Sequence, residues 1–163
     1  MSIFLEPLLD FTEFTLTINV GLIRVHSTST EVTMHMDKQF KNYTEIAPVL
    51  GPYSRAVKAG NLFFIAGCTA SGSISEKGSL CDQVREILNR TKMFLEAEGQ
   101  SMKDVVKLTT FVTDINEWEQ NSEAVGQIFM DMFSGAYPAN TLIGGVSLVL
   151  PSLKVEIETI AIF

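Results

Sequence analysis

The stretch that decides the fold is GPYSRAVKAGNLFFIAGC, residues 51–68. Gly51-Pro52 favours a turn, and Gly60-Asn61 supplies the tolerance of positive φ that a two-residue connection between antiparallel strands requires. Short runs of strand-forming residues lie on either side of that connection, at residues 55–59 and 62–67. The stretch therefore predicts a β-hairpin that is entered through a turn, and we expect the rim of the hairpin to carry functional residues.

After the hairpin, the apolar residues change to helical spacing. The side chains that recur on one face are Val84, Ile87, Leu88, Thr91, Phe94 and Leu95. Gly99 follows as the residue beyond the helix C-terminus, where a left-handed conformation is common. A run rich in β-branched residues, 105–113, then predicts a strand. One helix and one strand are therefore expected between the hairpin and Asp114.

A second amphipathic helix is predicted after Asp114, which is placed to cap it. Its apolar stripe consists of Trp118, Val125, Ile128, Phe129, Met132 and Phe133. Two final strands are predicted at residues 141–150 and 153–163, separated by Pro151 and Ser152. The order β-β-α-β-α-β-β predicts an α+β fold, a two-layer sandwich with both helices on one face of the sheet.

The first 40 residues differ in texture from the rest, so we divide the chain into an N-terminal extension, residues 1–40, and a main domain, residues 41–163. Alternation of period two at residues 14–20 favours an added strand, whereas a start at Met34 or Met36 would leave this part as a flexible extension. The segment has the features of neither a signal peptide nor an acidic-poor transit peptide. We expect a cytoplasmic protein and favour a mitochondrial one less.

Composition limits the partners of the chain. The net charge of −7 argues against nucleic acid and against an anionic membrane, since both require clustered Lys and Arg. Cys68 and Cys81 lack the spacing of a disulfide framework or a zinc finger, and no metal-ligand cluster or phosphate-binding motif is visible. We therefore expect no metal and no cofactor. Charged residues make up 19% of the chain, below the roughly 25% that is usual, which favours association into an oligomer.

Two carboxylates on the last predicted strand carry the clearest chemical signal. Glu156 and Glu158 project to one face because side chains alternate along a strand. They suit acid/base chemistry if burial or a neighbouring charge separates their pKa values. The alternative is a solvated polar face, on which Lys107 pairs with one of them. Cys68 is a weaker candidate nucleophile, because a buried cysteine usually behaves as a small hydrophobic residue.

Several motifs, taken together and in order, resemble the Rid family, the YjgF group of reactive-intermediate deaminases. They are GPYSRAV at 51–57, LFFIAG at 62–67, Gln83, VVKLTTFVTD at 105–114, Asn121, YPA at 137–139 and VEIETIA at 155–161. The resemblance covers residues 42–163 and implies a chorismate-mutase-like α+β fold with a mixed sheet. It also implies a homotrimer with pockets between adjacent subunits, each of which takes a small-molecule substrate.

The resemblance also assigns candidate site residues. The implied catalytic residues, which match the family pattern, are Glu156, Tyr53 and Asn121. The implied substrate-binding residues are Asn140, Arg55, Ala66, Gly67, Cys68 and Leu142. Asn140 stands where the deaminating members have an arginine that holds the substrate carboxylate, so we expect carboxylate binding there to weaken by about one to two decades. Arg55, Ala66 and Cys68 depart from the family pattern as well.

These observations leave three classes of function open. The first is a deaminase-like hydrolase of C–N bonds, or a related proton-transfer enzyme, that uses Glu156 as acid and base on an imine or enamine intermediate. The second is a non-catalytic small-molecule-binding or regulatory trimer. The third is a structural or regulatory partner protein, a class that includes the translation-inhibitor and nuclease roles of some Rid relatives and that the acidic charge makes less attractive. We favour the enzyme because Tyr53, Asn121 and Glu156 would be surplus in a structural protein. We expect Tyr53 and Gly67 to border a pocket whose opposite wall carries Asn140 and Glu156, from the same or an adjacent subunit.

Overall fold

The structure, a computed structural model, describes the backbone of residues 23–28 and 31–163 and the side chains of residues 37–163. Its strands are β1 (Ile23–Thr28), β2 (Glu31–Met36), β3 (Lys38–Lys41), β4 (Ala56–Ala59), β5 (Leu62–Cys68), β6 (Val105–Val112), β7 (Ala139–Gly144) and β8 (Val155–Ile162). Its α-helices are α1 (Leu80–Ala97), α2 (Ile115–Gln120) and α3 (Ser122–Phe133), with 3₁₀ turns at Ile74–Lys77 and Met102–Asp104. The strand predicted at residues 14–20 lies outside the described residues.

Six strands form one mixed sheet in the order β3-β4-β5-β8-β6-β7. Neighbouring strands are antiparallel except β6 and β7, which are parallel. Strands β1 and β2 pair with each other in a separate two-stranded sheet. Strand β3 pairs with β4 and spans residues 40 and 41, the boundary at which we divided the chain. The mixed sheet with helices confirms the predicted α+β class.

The predicted hairpin is formed by β4 and β5. Ala59 lies opposite Leu62, and Gly60 has a φ of 61°, as the two-residue connection requires. Farther along, the pairing of β5 with β8 shifts register between Ile65 and Cys68, so that Ala66 and Gly67 form a bulge. After the bulge, the end of β5 pairs near the start of β8, with Cys68 opposite Ile157.

The core lies between the sheet and the helices. Strand β8 buries every second side chain, and these are Val155, Ile157, Thr159 and Ala161. Helix α1 packs on β5 and β8 through its apolar face, and α3 packs on α1. In residues 23–28 and 31–163, none of the helices combines the length and apolarity needed to cross a membrane.

The helices and the final strands differ from the prediction at two points. The second predicted helix is two helices, because the Asn121 side-chain amide donates to the Glu117 carbonyl oxygen at 2.8 Å and so competes with the backbone. The cap at Asp114 is confirmed, since its side chain accepts from the backbone N–H groups of Asn116 and Glu117. The strand predicted at residues 141–150 is wrong in extent: β7 ends at Gly144, and the next residue turns the chain with a φ of 75°.

Candidate functional site

A cavity of about 400 Å³ opens beside Glu156. Several parts of the chain meet there: the loop that precedes β4, the end of β5 with the loop that follows it, α1, and β8 with the loop that precedes it. The lining residues are Ala47, Pro48, Leu50, Tyr53, Arg55, Ala66, Gly67, Cys68, Thr69, Ser71, Arg90, Val149 and Glu156. Of the residues that the resemblance implied, six lie together here, and they are Tyr53, Arg55, Ala66, Gly67, Cys68 and Glu156. The hairpin rim therefore borders the cavity, as predicted.

Glu156 reaches the cavity because successive side chains of β8 point to opposite faces of the sheet. Its neighbours Val155 and Ile157 are buried under the helices, so the Glu156 side chain lies on the opposite, open face of the sheet. Glu158 lies on the same open face, as predicted from the spacing, but it lines a different cavity of about 310 Å³ with Lys107 and Thr109. The two carboxylates therefore share a face without sharing a site.

The absence of a side chain at Gly67 leaves the space that the Glu156 carboxylate occupies. A Cβ atom at residue 67 would lie 1.9 Å from Glu156 Oε1 and 2.8 Å from Cδ, far inside the contact distance. The φ of Gly67 is not in the left-handed region, so space and not backbone conformation excludes a side chain here. The bulge in β5 thus presents bare backbone to the carboxylate, and only glycine permits so close an approach.

Burial raises the pKa of Glu156 above its ordinary value. The charge of Glu158 raises this pKa further, and the Arg55 guanidinium opposes both effects. A raised pKa brings a carboxyl group closer to neutral pH, which suits a group that must both take and give a proton. Perturbed carboxylates in cavities are common at catalytic sites.

Arg55 is the cationic partner in the cavity. The residue is only 5% exposed. Its Nη1 donates to the Gly67 carbonyl oxygen at 3.3 Å, and its Nη2 donates to the Pro48 carbonyl oxygen and, at 3.2 Å, to the Tyr53 hydroxyl. The guanidinium carbon also lies 5.4 Å from the centre of the Tyr53 ring. These contacts fix the guanidinium against the same glycine that receives Glu156.

One donor of Arg55 has no acceptor in the part of the chain that the structure describes. The buried Nε–H finds no hydrogen-bond partner among the residues that the structure describes. Leaving such a group unsatisfied costs about 1–3 kcal/mol, and more when it is charged. Arg55 does not form an ion pair with Glu156 either, although its charge is close enough to act on the pKa of that carboxyl. The cavity thus holds a cation and an anion that do not neutralise each other by direct contact.

Arg90, on α1, lines the cavity and was missed by sequence reasoning. It is 7% exposed, its Nε donates to Glu86 at 2.7 Å, and its Nη1 donates to the carbonyl oxygens of Thr69 and Ser71. The available signal was its spacing, three residues after Ile87, which places a charged residue on the apolar face of the helix. These bonds tie α1 to the loop that follows β5.

Cys68 lines the cavity, but its thiol is poorly suited to act as a nucleophile. Burial raises the pKa of its thiol to about 11, against the opposing charges of Arg90 and Arg55. A thiol with this pKa is almost fully protonated at neutral pH, and the thiolate is the reactive form. The His, Cys, Asp and Glu side chains of residues 37–163 form no group of three that could hold a metal ion.

A family model described as Endoribonuclease L-PSP matches residues 44–163. The chain belongs to this family, the Rid or YjgF family. A RutC family protein of Pyrococcus horikoshii is 39% identical over 124 residues, which cover 73% of this chain and 94% of the relative. A 2-iminobutanoate/2-iminopropanoate deaminase of Dermatophagoides farinae is 29% identical over 123 residues, which cover 73% of this chain and 92% of that protein.

Solved structures agree with the Rid assignment. The crystal structure of a Rid-family protein of unknown function from Yersinia pestis superposes with a TM-score of 0.66 at 29% identity. The superposition covers 78% of this chain and 100% of the Yersinia chain. This likeness confirms the predicted family and the fold. Three of the implied site residues nevertheless lie away from the cavity in this Rid chain, and these are Asn121, Asn140 and Leu142.

Asn140 lies on the opposite side of the sheet from Glu156. Its side-chain oxygen accepts from the Thr110 hydroxyl at 3.0 Å, and Thr110 is fully buried on the helix-covered face. Asn140 therefore cannot form the opposite wall of the cavity of its own chain, which leaves the adjacent-subunit alternative. Leu142 lies farther along the same edge strand, β7, whose residues are all exposed.

Asn121 and Lys107 have local partners. The Asn121 amide bonds to Glu117, and its side-chain oxygen lies 3.9 Å from the Cys81 sulfur. The Lys107 ammonium donates to the Leu108 carbonyl oxygen and to the Thr141 hydroxyl, and it forms no ion pair with Glu156 or Glu158. Within one chain, Glu156 is therefore the carboxyl group that lines this cavity, together with the polar side chains of Tyr53 and Arg55.

Proposed function

We propose that this Rid-family protein hydrolyses the C=N bond of small imines, or of enamines after they tautomerise to imines, with Glu156 as acid and base. The observation that carries the proposal is the half-buried Glu156 carboxyl in a cavity of about 400 Å³, with a raised pKa and no ion-pair partner among residues 37–163. The name of the mite relative, a deaminase of 2-imino acids, supports this reaction class.

The proposed reaction needs one water molecule and one group that moves protons. The Glu156 carboxylate takes a proton from water while the water oxygen bonds to the carbon of a protonated imine, and this step forms a carbinolamine. The Glu156 carboxylic acid then protonates the amine nitrogen, the C–N bond breaks with its electron pair on nitrogen, and ammonia leaves. The hydroxyl proton passes to the ammonia, which leaves the carbonyl product.

The same family supports a second proposal, that the protein is a homotrimer with subunits sharing their cavities. Large apolar side chains are exposed on the open sheet face and on β7, and these include Phe64, Val106, Leu142, Ile143 and Ile162. Such a surface favours association with further copies. Light scattering on the purified protein is expected to give three times the chain mass of 18.0 kDa. A stable monomer would contradict the shared cavity.

The hydrolysis proposal is tested with imines generated in situ by an amino-acid oxidase. Wild-type protein is expected to accelerate imine loss, and Glu156→Gln is expected to lose most of that rate, about 10²–10⁴-fold, because the proton-transfer group is gone. Glu119→Gln, an exposed carboxylate on α2, is the matched control. If wild type gives no acceleration, a non-catalytic binding protein becomes the better interpretation.

A further inference from the structure

We propose that Arg55, together with the Tyr53 hydroxyl, binds the carboxylate of the substrate inside the cavity of a single chain. The inference rests on the proposed imine hydrolysis and names the residue that selects its substrates. It moves the anion-binding function from position 140, which carries a neutral amide on the other face of the sheet, to the loop before β4. The preferred substrates would then be imines that carry a carboxylate.

The unsatisfied Nε–H is the first argument. Buried polar groups in folded proteins almost always have a partner, so a buried donor without one calls for an explanation. Here the donor belongs to a guanidinium that lines the cavity, and its Nη atoms are already held by the Gly67 and Pro48 carbonyl oxygens. Because Nε is itself covered by neighbouring atoms, an acceptor reaches it only when the surrounding side chains shift slightly, and it would then satisfy this donor.

Tyr53 supplies a second donor. Its hydroxyl oxygen accepts from Arg55 Nη2, so its own O–H remains free to donate, and the residue is 43% exposed at the mouth of the cavity. A hydroxyl and a guanidinium N–H that lie side by side match the two oxygens of a carboxylate. Arg90 is the poorer candidate because its Nε and Nη1 are occupied by Glu86 and by two carbonyl oxygens.

The arrangement of charge is the third argument. Arg55 donates to the Gly67 carbonyl oxygen, and the Glu156 carboxylate occupies the space that a side chain at residue 67 would take, yet Arg55 and Glu156 form no ion pair with each other. A molecule between them meets a cation at one end and an anion at the other. A protonated 2-imino acid has the complementary charges, with its carboxylate toward Arg55 and its nitrogen toward Glu156.

Binding of a stable probe tests this assignment without using catalysis. Isothermal titration calorimetry compares 2-oxobutanoate with the uncharged 2-oxobutanamide. Wild type is expected to bind the acid more tightly than the amide, and Arg55→Gln is expected to weaken binding of the acid by about 10- to 100-fold and of the amide little. Arg85→Gln, which removes an exposed arginine from α1, is the matched control for charge.

A second readout follows the guanidinium itself. The ¹⁵N–¹H signal of Arg55 Nε is expected to shift when 2-oxobutanoate is added and to stay in place with the amide. Arg55→Lys keeps the charge but lacks the planar group, so it is expected to recover part of the affinity. Urea unfolding checks that each variant is folded. If Arg55→Gln does not fold, the affinity of Arg55→Lys for the acid and the Nε signal of wild type test the assignment instead.

Three results would overturn the assignment: wild type that does not bind the acid, wild type that binds acid and amide equally, or a folded Arg55 variant that binds the acid as wild type does. The imine assay distinguishes failure of the Arg55 assignment from failure of the proposed hydrolysis. Loss of hydrolysis in Glu156→Gln with unchanged acid binding in Arg55→Gln would refute the role of Arg55 alone. Acid binding through Arg55 without any imine hydrolysis would refute the reaction alone.

Discussion

Gly67→Ala is the sharpest test of the site because it adds one methyl group at a known distance from Glu156, the proposed acid/base residue. The new Cβ would lie 1.9 Å from Glu156 Oε1, whereas ordinary contacts begin at 3.4 Å. The carboxylate must therefore move by about 1.5 Å, the difference of these two distances. Misplacement of a catalytic group by about 1 Å can cost about 10²-fold in rate.

The expected result is a fall in kcat of about 10²-fold with a folded protein. The backbone at residue 67 tolerates alanine, since its φ is not in the left-handed region, so the remaining cost is overpacking of about 1–3 kcal/mol in the free energy of unfolding. Imine hydrolysis measures the first quantity and urea unfolding the second. Together they separate displacement of Glu156 from loss of the fold.

Gly126→Ala is the matched control. Gly126 lies in α3, and a Cβ atom there would meet nothing within 4 Å. The same substitution is therefore expected to raise the free energy of unfolding by about 0.5–1 kcal/mol and to leave kcat unchanged. If Gly67→Ala retains kcat within threefold of Gly126→Ala, the position of the Glu156 carboxylate is not what sets the rate, and the reasoning fails.

Three further predictions follow from the same geometry. Glu156→Gln is expected to raise the free energy of unfolding at pH 7, because the raised pKa of Glu156 means that the folded protein loses stability as this group ionises with rising pH. This gain in stability should vanish below about pH 4, where the carboxyl is protonated in the unfolded chain as well. Urea titrations that show the same difference between variant and wild type at pH 3.5 and at pH 7 would contradict the prediction. Iodoacetamide at pH 8 is expected to alkylate the partly exposed Cys81 before the buried Cys68, whose thiol has a pKa of about 11, and mass spectrometry showing equal rates would contradict the burial. Asn140→Arg is expected to raise kcat/KM for carboxylated imines by about tenfold in assembled protein alone, and a gain that persists in a monomeric variant would contradict its position on the other sheet face.

The parts of the fold that follow from local chemistry were predicted from the sequence. The hairpin depends on Gly60 and its positive φ, and the cap of α2 depends on the Asp114 side chain, so both are readable from neighbouring residues. The break at Asn121 and the end of β7 at Gly144 were not predicted. In both cases a helical or strand-like apolar pattern continues past the point where a side-chain amide or a glycine turn ends the element.

The candidate site was predicted only where the strand spacing carries the information. Alternation placed Glu156 and Glu158 on one face, but it gave no sign that they line different cavities, since that depends on the β5 bulge and on loop residues such as Pro48. Arg90 reaches the cavity through contacts with the loop after β5, which are distant in sequence. Long-range contacts of this kind leave no periodic trace in the chain.

The positive charge of Arg55 also explains how the cavity keeps a usable carboxylate. Burial and the charge of Glu158 both raise the pKa of Glu156, and the Arg55 guanidinium opposes that rise, which favours the carboxylate form that takes a proton from water. A guanidinium in direct contact would lower the pKa further and would occupy the carboxylate oxygens. Arg55 is held at the Gly67 carbonyl oxygen instead, so it acts on this pKa and leaves the carboxylate oxygens free. Arg55→Gln should therefore raise the pKa that controls kcat as well as weaken acid binding, and an unchanged pH–rate profile would separate these two roles.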